Sequence, residues 1–319
     1  MIVFTIIYGE SFIRKAFDFC LPSLLASGNL PRLKNEKPEL LIFTVQKDLP
    51  LVGKMLEARP DISAFFGGRV QAYFLEVPDQ PVGEKAKHKF SVTGNLLCRV
   101  IDVCLKKDRS FLFAVPDLVY SNGAIEACWQ LHRMTGKVVS IFNGRVLPKT
   151  DEPPFSPAMM SQLTRPQGVR DYFFSNMIAS WRGWTTTDPD VIPDHASRGH
   201  LIFRRDGYSF IFSRPNPVIG RFTRRDLMFF AGGGNIRSWD HDWQDGLLRE
   251  GRLQVQPNLD LGMSIELEDG APPPTEVVRE LVDSYGGGDL AQRRENKLAG
   301  LYADFVFTTQ RAPSQSNPD

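Results

Sequence analysis

The sequence predicts an α/β protein with a mostly parallel central sheet, flanking helices and a later antiparallel portion. Apolar runs alternate with segments of helical spacing along residues 3–142. The fourth of these runs, Phe111 to Val115, is apolar without a break, as in a parallel strand buried on both faces. The first strong hairpin signal, Asp206-Gly207, comes later, between two alternating segments. The alternation of strands and helices therefore indicates a parallel sheet that antiparallel strands join late in the chain.

The beginning of the chain has the pattern β-α-β-α-β. The predicted strands are Val3 to Tyr8, Leu40 to Val45 and Val70 to Val77. A turn at Gly9 leads into the first helix, and Asp48 is expected to cap the second helix. This order is typical of parallel strands joined by right-handed crossovers.

The same pattern continues through the next segments. The residues from Phe90 to Lys107 place their apolar side chains on one helical face and lead to the strand Phe111 to Val115. A further helix, Ala124 to Thr135, precedes Gly136, which suits a left-handed C-cap, and Lys137 to Phe142 is the next strand.

One carboxylate, Asp117, stands at the carboxyl end of the fourth strand. Pro116 removes a backbone donor and so ends that strand just before it. Open parallel sheets bind ligands beyond the carboxyl ends of their strands, which makes Asp117 the first candidate for chemistry. The alternative is that Asp117 only caps the helix that Ser121, Asn122 and Gly123 introduce.

The composition changes after Asn143, where prolines become frequent and regular periodicity is lost. The hairpin strands Leu201 to Arg205 and Tyr208 to Ser213 follow, and two more helices are expected at Thr275 to Ser284 and Leu290 to Leu301. The predicted division is a first half at residues 1–150, a second half at 151–272, C-terminal helices at 273–310 and a disordered tail at 311–319.

Charge and cysteine usage narrow the possible classes. Thirty-eight basic residues nearly balance 37 acidic ones, so no global field attracts nucleic acid. The four cysteines show no metal-binding or disulfide spacing, which favours reduced thiols in a cytoplasmic protein. No apolar run has the length of a transmembrane segment.

A second acidic group is Asp240-His241-Asp242, which lies between two tryptophans and follows a glycine loop. Two carboxylates and an imidazole suit a divalent ion if Asp117 supplies another ligand. The flanking tryptophans would then be aromatic platforms for a ligand that the mobile glycine loop admits and covers. The alternative is a solvated helix start. Asp260, at a predicted strand end, is a candidate general base, whereas Glu266 and Glu268 fit an ordinary solvated strand face.

Basic residues offer two candidate anion sites. Six arginines lie in the segment from Arg204 to Arg225. One interpretation is a phosphate-binding site, and the equal alternative is a set of surface arginines flanked by Asp206 and Asp226. Lysines precede Phe90, where a helix start could hold a diphosphate, although a solvated loop is an equal alternative. The glycine-rich fingerprints of dinucleotide-binding and P-loop enzymes and the α/β-hydrolase elbow do not occur in the sequence.

The order of these parts resembles that of the GT-A glycosyltransferases. The resemblance rests on the first strand and turn (Thr5 to Gly9), a helix with basic and amide residues near its start (Lys89, Asn95, Arg99), an acidic residue after the fourth strand (Val115-Pro-Asp117) and a late acidic motif (Ile236 to Trp243). The usual Asp-x-Asp motif keeps only its second carboxylate here.

The resemblance implies a nucleoside diphosphate sugar over the first half and an acceptor hydroxyl over the second. The implied donor-binding residues are Tyr8, Gly9, Asp48, Lys89, Asn95 and Asp117. Asp117 and His241 would hold Mg²⁺ or Mn²⁺, and Asp240, Asp242 or Asp260 would deprotonate the acceptor. The competing hypotheses are a nucleotidyltransferase and a GT-A-like module that binds a nucleotide or sugar without catalysis. The acceptor and the oligomeric state are not predicted, and nucleic acid is the less expected acceptor.

Overall fold

The computed structural model is an α/β protein with a mixed, mostly parallel, strongly curled sheet and flanking helices. It describes residues 1–76, 85–146, 157–165, 167–176, 185–186, 201–205, 208–212, 216–232, 239–267 and 306–310. The strands are β1 (Ile2–Ile6), β2 (Glu39–Val45), β3 (Val70–Leu75), β4 (Phe111–Phe113), β5 (Leu118–Tyr120), β6 (Val138–Val146), β7 (Thr185–Thr186), β8 (Leu201–Arg205), β9 (Tyr208–Phe212), β10 (Asn216–Gly220), β11 (Leu253–Val255), β12 (Met263–Leu267) and β13 (Val306–Gln310).

The helices connect these strands and cover the sheet. They are α1 (Glu10–Lys15), α2 (Leu21–Leu24), α3 (Leu49–Ala58), α4 (Pro60–Phe66), α5 (Lys85–Lys107), α6 (Ala124–Thr135), α7 (Pro157–Leu163), α8 (Gly168–Asn176), α9 (Arg224–Ala231) and α10 (Gln244–Arg249). A π-helical turn, Ala16–Cys20, joins α1 to α2, and Pro22 lies in the first turn of α2.

The main sheet has the strand order β3-β2-β1-β4-β10-β6-β12-β5, and β11 also pairs with β6. The pairs among β3, β2, β1 and β4 are parallel, which confirms the predicted parallel strands of the first part of the chain. β10 is antiparallel to both of its neighbours, and β12 is parallel to β6. Strands from both sides of residue 150 therefore share one sheet.

The sheet curls because its last strand returns toward its middle. β5 follows β4 after a tight turn in which Leu118 N–H donates to the carbonyl of Val115 at 3.1 Å. β5 nevertheless pairs with β12, at the far end of the strand order. The turn between β4 and β5, which contains Asp117, therefore connects a central strand of the sheet to the last strand of the strand order.

Two hydrophobic clusters pack on opposite faces of the sheet, as the two-residue alternation of strands requires. On one face, which we call the α5 face, α5 residues such as Leu97 pack with Phe4 and Phe113. On the other, the α6 face, Val3 and Leu112 pack with residues from α1, the π-helical turn and α6. Burial of the sheet on both faces explains the unbroken apolar runs in the sequence.

A smaller sheet has the order β13-β9-β8-β7 and contains the predicted hairpin. β8 and β9 pair antiparallel from Arg205 and Tyr208 outward, as the two-residue signal predicts. The helices predicted at 275–284 and 290–301, the tail at 311–319 and the loop at 233–238 lie outside the described residues. Within the described part of the chain, no helix is both long and apolar enough to cross a membrane.

Candidate functional site

The order in which successive strands are added to the sheet reverses between β1 and β4, although these two strands are parallel. From β1 the chain proceeds through β2 to β3 on one side, and then places β4 on the other side of β1. At such a switch point the loops after the two central strands diverge and leave a crevice beyond their carboxyl ends. The residues that follow β1 and β4 therefore line the candidate site.

Tyr8 and Gly9 follow β1 and are tied to two other elements. The hydroxyl of Tyr8 lies 2.7 Å from Thr93 Oγ1 on α5. The N–H of Gly9 donates to Asp48 Oδ2 at 2.7 Å. These bonds bring residues that are 85 and 39 positions apart to one edge of the sheet.

Asp48 occupies the predicted N-cap position of α3, but the capping hydrogen bond expected from its side chain is not formed. Its carboxylate instead accepts the N–H of Gly9, whose backbone has φ 81° and ψ 139°. This conformation is nearly restricted to glycine, so Gly9 and Asp48 together shape the loop after β1.

The phenol of Tyr8 stays neutral at physiological pH. Burial raises its pKa above the usual 10.0, although the hydrogen bond with Thr93 acts in the opposite direction. A half-buried neutral tyrosine presents an apolar ring together with a hydroxyl that donates or accepts. The site therefore contains one aromatic surface and one carboxylate at the ends of β1 and β2.

Asp117 lies on the turn after β4 and is half-buried. The turn is braced by Tyr120, whose buried hydroxyl donates to the carbonyl of Phe113 at 3.0 Å and accepts the N–H of Val115 at 3.3 Å. Burial, followed by the charge of Asp117, raises the pKa of the Cys20 thiol. The carboxylate is thus close enough to Cys20, which is packed on the α6 face, to act on its pKa.

The alternative role for Asp117, capping the next helix, does not match the contacts of that helix. α6 begins after Gly123 without a side-chain cap from its own N-cap residue. The N–H groups of Gly123 and Ile125 donate instead to Asn29 Oδ1, at 2.9 and 3.0 Å. Asn29, from a loop distant in sequence, supplies the function that the sequence suggested for Asp117.

The predicted donor residues on α5 lie at different places. The side chain of Lys89 is outside the described residues. Asn95 is exposed and two positions after Thr93, so it lies about 200° around the helix from the residue that contacts Tyr8. Arg99 donates to the carbonyl of Phe74 on β3, at 3.1 Å.

The two tryptophans beside the acidic group are core residues, so the interpretation as ligand platforms is wrong. Trp239 and Trp243 are 9% and 2% exposed and pack with Phe4, Phe111 and Phe222. They belong to a π-helical turn, Trp239–Trp243. Asp242 is exposed on this turn, whereas the side chains of Asp240 and His241 are outside the described residues.

Asp260 lies just before β12 and forms an ion pair with Arg170 of α8 at 2.5 Å. Arg170 is itself buried and also contacts Gln167 and Asp171. Asp260 therefore joins α8 to the turn before β12, a structural contact that competes with the predicted role of general base.

The arginine-rich segment is only partly described. Asp226, which flanks these arginines in the sequence, points inward and pairs with Arg252 at 2.7 Å. Arg221 contacts Asp108, and Arg224 and Arg225 are exposed on α9. The side chains of Arg204 and Arg205 are outside the described residues.

The described residues do not assemble a metal site. Among the side chains that the structure describes, no three or more His, Cys, Asp or Glu residues form a group that could hold a metal ion. Asp117 is one oxygen donor, and a hard divalent cation needs several.

Glu266 is a carboxylate that the sequence assigned to an ordinary solvated strand face, and the fold places it near Asp117. Glu266, on β12, pairs in register with Leu118, the residue after Asp117. Its side chain contacts Asn143 and Arg145 of β6. The alternation of Ile265, Glu266 and Leu267 identified a strand face, but only the strand order shows what that face adjoins.

Comparisons with known proteins add no assignment. The chain matches no protein-family model, and no curated protein matches it.

Proposed function

We propose that the protein is a GT-A-like glycosyltransferase that moves a sugar from a nucleoside diphosphate sugar to a hydroxyl acceptor. The observation that carries the proposal is the switch point between β1 and β4, where Tyr8, Gly9, Asp48 and Asp117 follow adjacent parallel strands. A nucleotide bound at such a point lies beyond the carboxyl ends of the strands.

Two residues are suited to the nucleoside. The half-buried ring of Tyr8 offers a surface for a base, and its hydroxyl is fixed by Thr93. Asp48 is a hydrogen-bond acceptor held by the N–H of Gly9, which suits the hydroxyl donors of a ribose. Because the Gly9 bond fixes the carboxylate before the ligand arrives, little conformational entropy is lost on binding.

Asp117 lies at the next strand end, where the sugar part of the donor would extend. A carboxylate accepts hydrogen bonds from sugar hydroxyls, and the Tyr120 brace limits the positions available to it. In the transfer, the acceptor oxygen bonds to the anomeric carbon, the bond from that carbon to the diphosphate breaks, and the acceptor proton passes to a base. The predicted bases for that proton are Asp240, Asp242 and Asp260, and Asp260 also pairs with Arg170.

A binding panel tests the proposal against its alternatives. We expect the thermal midpoint to rise with one nucleoside diphosphate among UDP, GDP and ADP, and with its hexose ester, in the presence or absence of Mn²⁺. A preference for nucleoside triphosphates would favour a nucleotidyltransferase. Binding of the hexose ester without transfer to any acceptor would favour the binding module, and no response to any nucleotide would refute the proposal.

The substitution Asp117→Asn tests the residue assignment. We expect it to preserve the fold and to lower transfer about 100-fold, the scale of weakening hydrogen bonds to a charged group. The matched control is Asp102→Asn, which changes a surface aspartate on α5 paired with Lys106. Near-normal turnover of Asp117→Asn would show that another carboxylate is the essential one.

A further inference from the structure

A compact polar cluster lies between β6 and β12. Glu266 Oε2 accepts a hydrogen bond from Asn143 Nδ2 at 3.3 Å and is 3.3 Å from Arg145 Nε. Ser264 Oγ donates to Asn143 Oδ1 at 3.1 Å, which fixes the orientation of the amide. The side chains of Glu266 and Arg145 are 22% and 50% exposed, so the cluster is held from within the sheet and reaches solvent at one end.

The strand register places this cluster beside Asp117. Glu266 is the partner of Leu118, and partners in an antiparallel pair have Cα atoms about 4.5–5.5 Å apart. Asp117 precedes Leu118, and consecutive Cα atoms are about 3.8 Å apart. The Cα atoms of Asp117 and Glu266 are therefore within about 9 Å of each other, a distance that a sugar ring can bridge.

Glu266 points toward the face of the sheet on which the charge of Asp117 also acts. Ile265 packs on the α5 face, so its neighbour Glu266 points toward the α6 face. Leu118 and Tyr120, the residues of β5 that pair with Glu266 and Ser264, are packed on the α6 face as well. The charge of Asp117 acts on Cys20 and Tyr120, which belong to that face.

The chemistry of the cluster suits hydroxyl groups better than phosphate. Each hydroxyl both donates and accepts, and here a carboxylate acceptor alternates with amide and guanidinium donors. A phosphate would favour an arginine without a carboxylate partner, whereas Arg145 is paired with Glu266. A partly exposed ion pair between neighbouring strands contributes little stability, so stability alone gives no strong reason to place these groups here.

We propose that Glu266, Arg145 and Asn143 form a subsite that binds the hydroxyl groups of the transferred sugar, next to Asp117. This inference rests on the proposed function, because it assigns the sugar end of the same donor. The residues of the subsite belong to β6 and β12, and β12 pairs with β5, the strand that begins next to Asp117.

The experiment compares a nucleoside diphosphate with its hexose ester on the same variants. The probes are UDP, GDP and ADP with UDP-glucose, UDP-galactose, GDP-mannose and ADP-glucose, measured by titration calorimetry. For Glu266→Gln we expect the Kd of the free diphosphate to stay within about twofold, and the Kd of the preferred hexose ester to rise about tenfold, the loss of one good hydrogen bond to a charged group.

The matched control is Asp61→Asn, which neutralises another carboxylate paired with an arginine, Arg59 of the loop before α4. It should change neither Kd. If Glu266→Gln does not fold, the half-exposed Arg145 carries the same test as Arg145→Gln.

Three outcomes would overturn the inference. An unchanged Kd for the hexose ester would show that the cluster does not touch the sugar, and an equal loss for diphosphate and ester would show a structural effect. In both cases the proposed function stands. If the wild-type protein binds none of the probes, the proposed function fails, and the subsite fails with it.

Discussion

Asn29 is fully buried and connects the loop after α2 to the start of α6. Its Nδ2 donates to the carbonyls of Ser23 and Ser121, at 2.8 and 3.0 Å. Its Oδ1 accepts the N–H groups of Gly123 and Ile125. One amide thus satisfies four backbone groups next to β5, the strand that follows the Asp117 turn.

The substitution Asn29→Ala removes all four bonds at a site with no solvent exposure. Loss of the acceptor at the start of α6 costs about 1–2 kcal/mol, the usual range for a helix N-cap. The two carbonyls lose their donors as well, at about 1 kcal/mol each when the groups stay buried. We therefore expect the free energy of unfolding to fall by about 3–4 kcal/mol.

Urea denaturation, followed by circular dichroism, measures this change. The midpoint should fall while the slope stays constant, because the surface exposed on unfolding is unaltered. The control is Asn122→Ala, which removes the one hydrogen bond that Gly28 N–H donates to the half-buried Asn122 Oδ1 and should cost about 1 kcal/mol. A loss below about 1 kcal/mol for Asn29→Ala would refute the assignment of this residue as the cap of α6.

Two further predictions concern Gly9 and Asp226. Gly9→Ala should lower the free energy of unfolding by about 1–3 kcal/mol through backbone strain alone, since an added Cβ meets no atom within 4 Å. The control is Gly53→Ala, which is equally open but helical and should be neutral or stabilising in the same urea assay. Equal effects of the two substitutions would contradict the assignment of strain to Gly9. For Asp226, burial alone would raise the pKa, but hydrogen bonds from Arg252, Trp243 and Thr223 hold it below the usual 3.8. The stabilisation of the fold by ionised Asp226 is therefore complete above pH 3.8 and is lost as the pH falls through the lower folded-state pKa. Asp226→Asn should therefore reduce the dependence of the free energy of unfolding on acidic pH. An unchanged dependence would show that the pair with Arg252 does not cause it.

The parallel half of the fold was predictable because its signals are local. β1, β2 and β4 are apolar runs that both faces of the sheet bury, and Gly136 has the left-handed φ of 68° expected of a C-cap. β10 was not predicted, since Pro217 removes a donor within it. The sheet accommodates that proline with a shift of register between Pro217 and Ile219.

The site was predictable only where a residue follows its own strand. The position of Asp117 after β4 is a local property, whereas the partners of Asp48 and Glu266 come from distant parts of the chain. The tryptophans at 239 and 243 resembled a site because their acidic neighbours dominate the local pattern. Their burial depends on the aromatic residues of β1 and β4, which no short window contains.

The most direct test of the account is a crystal structure of the complex with the nucleoside diphosphate that raises the thermal midpoint most, soaked with Mn²⁺. We expect its ribose within hydrogen-bond distance of Asp48 and its diphosphate in the crevice between β1 and β4, directed toward Asp117 so that the sugar of the donor would reach that residue. A nucleotide bound elsewhere, with Asp117 turned away from it, would contradict the account.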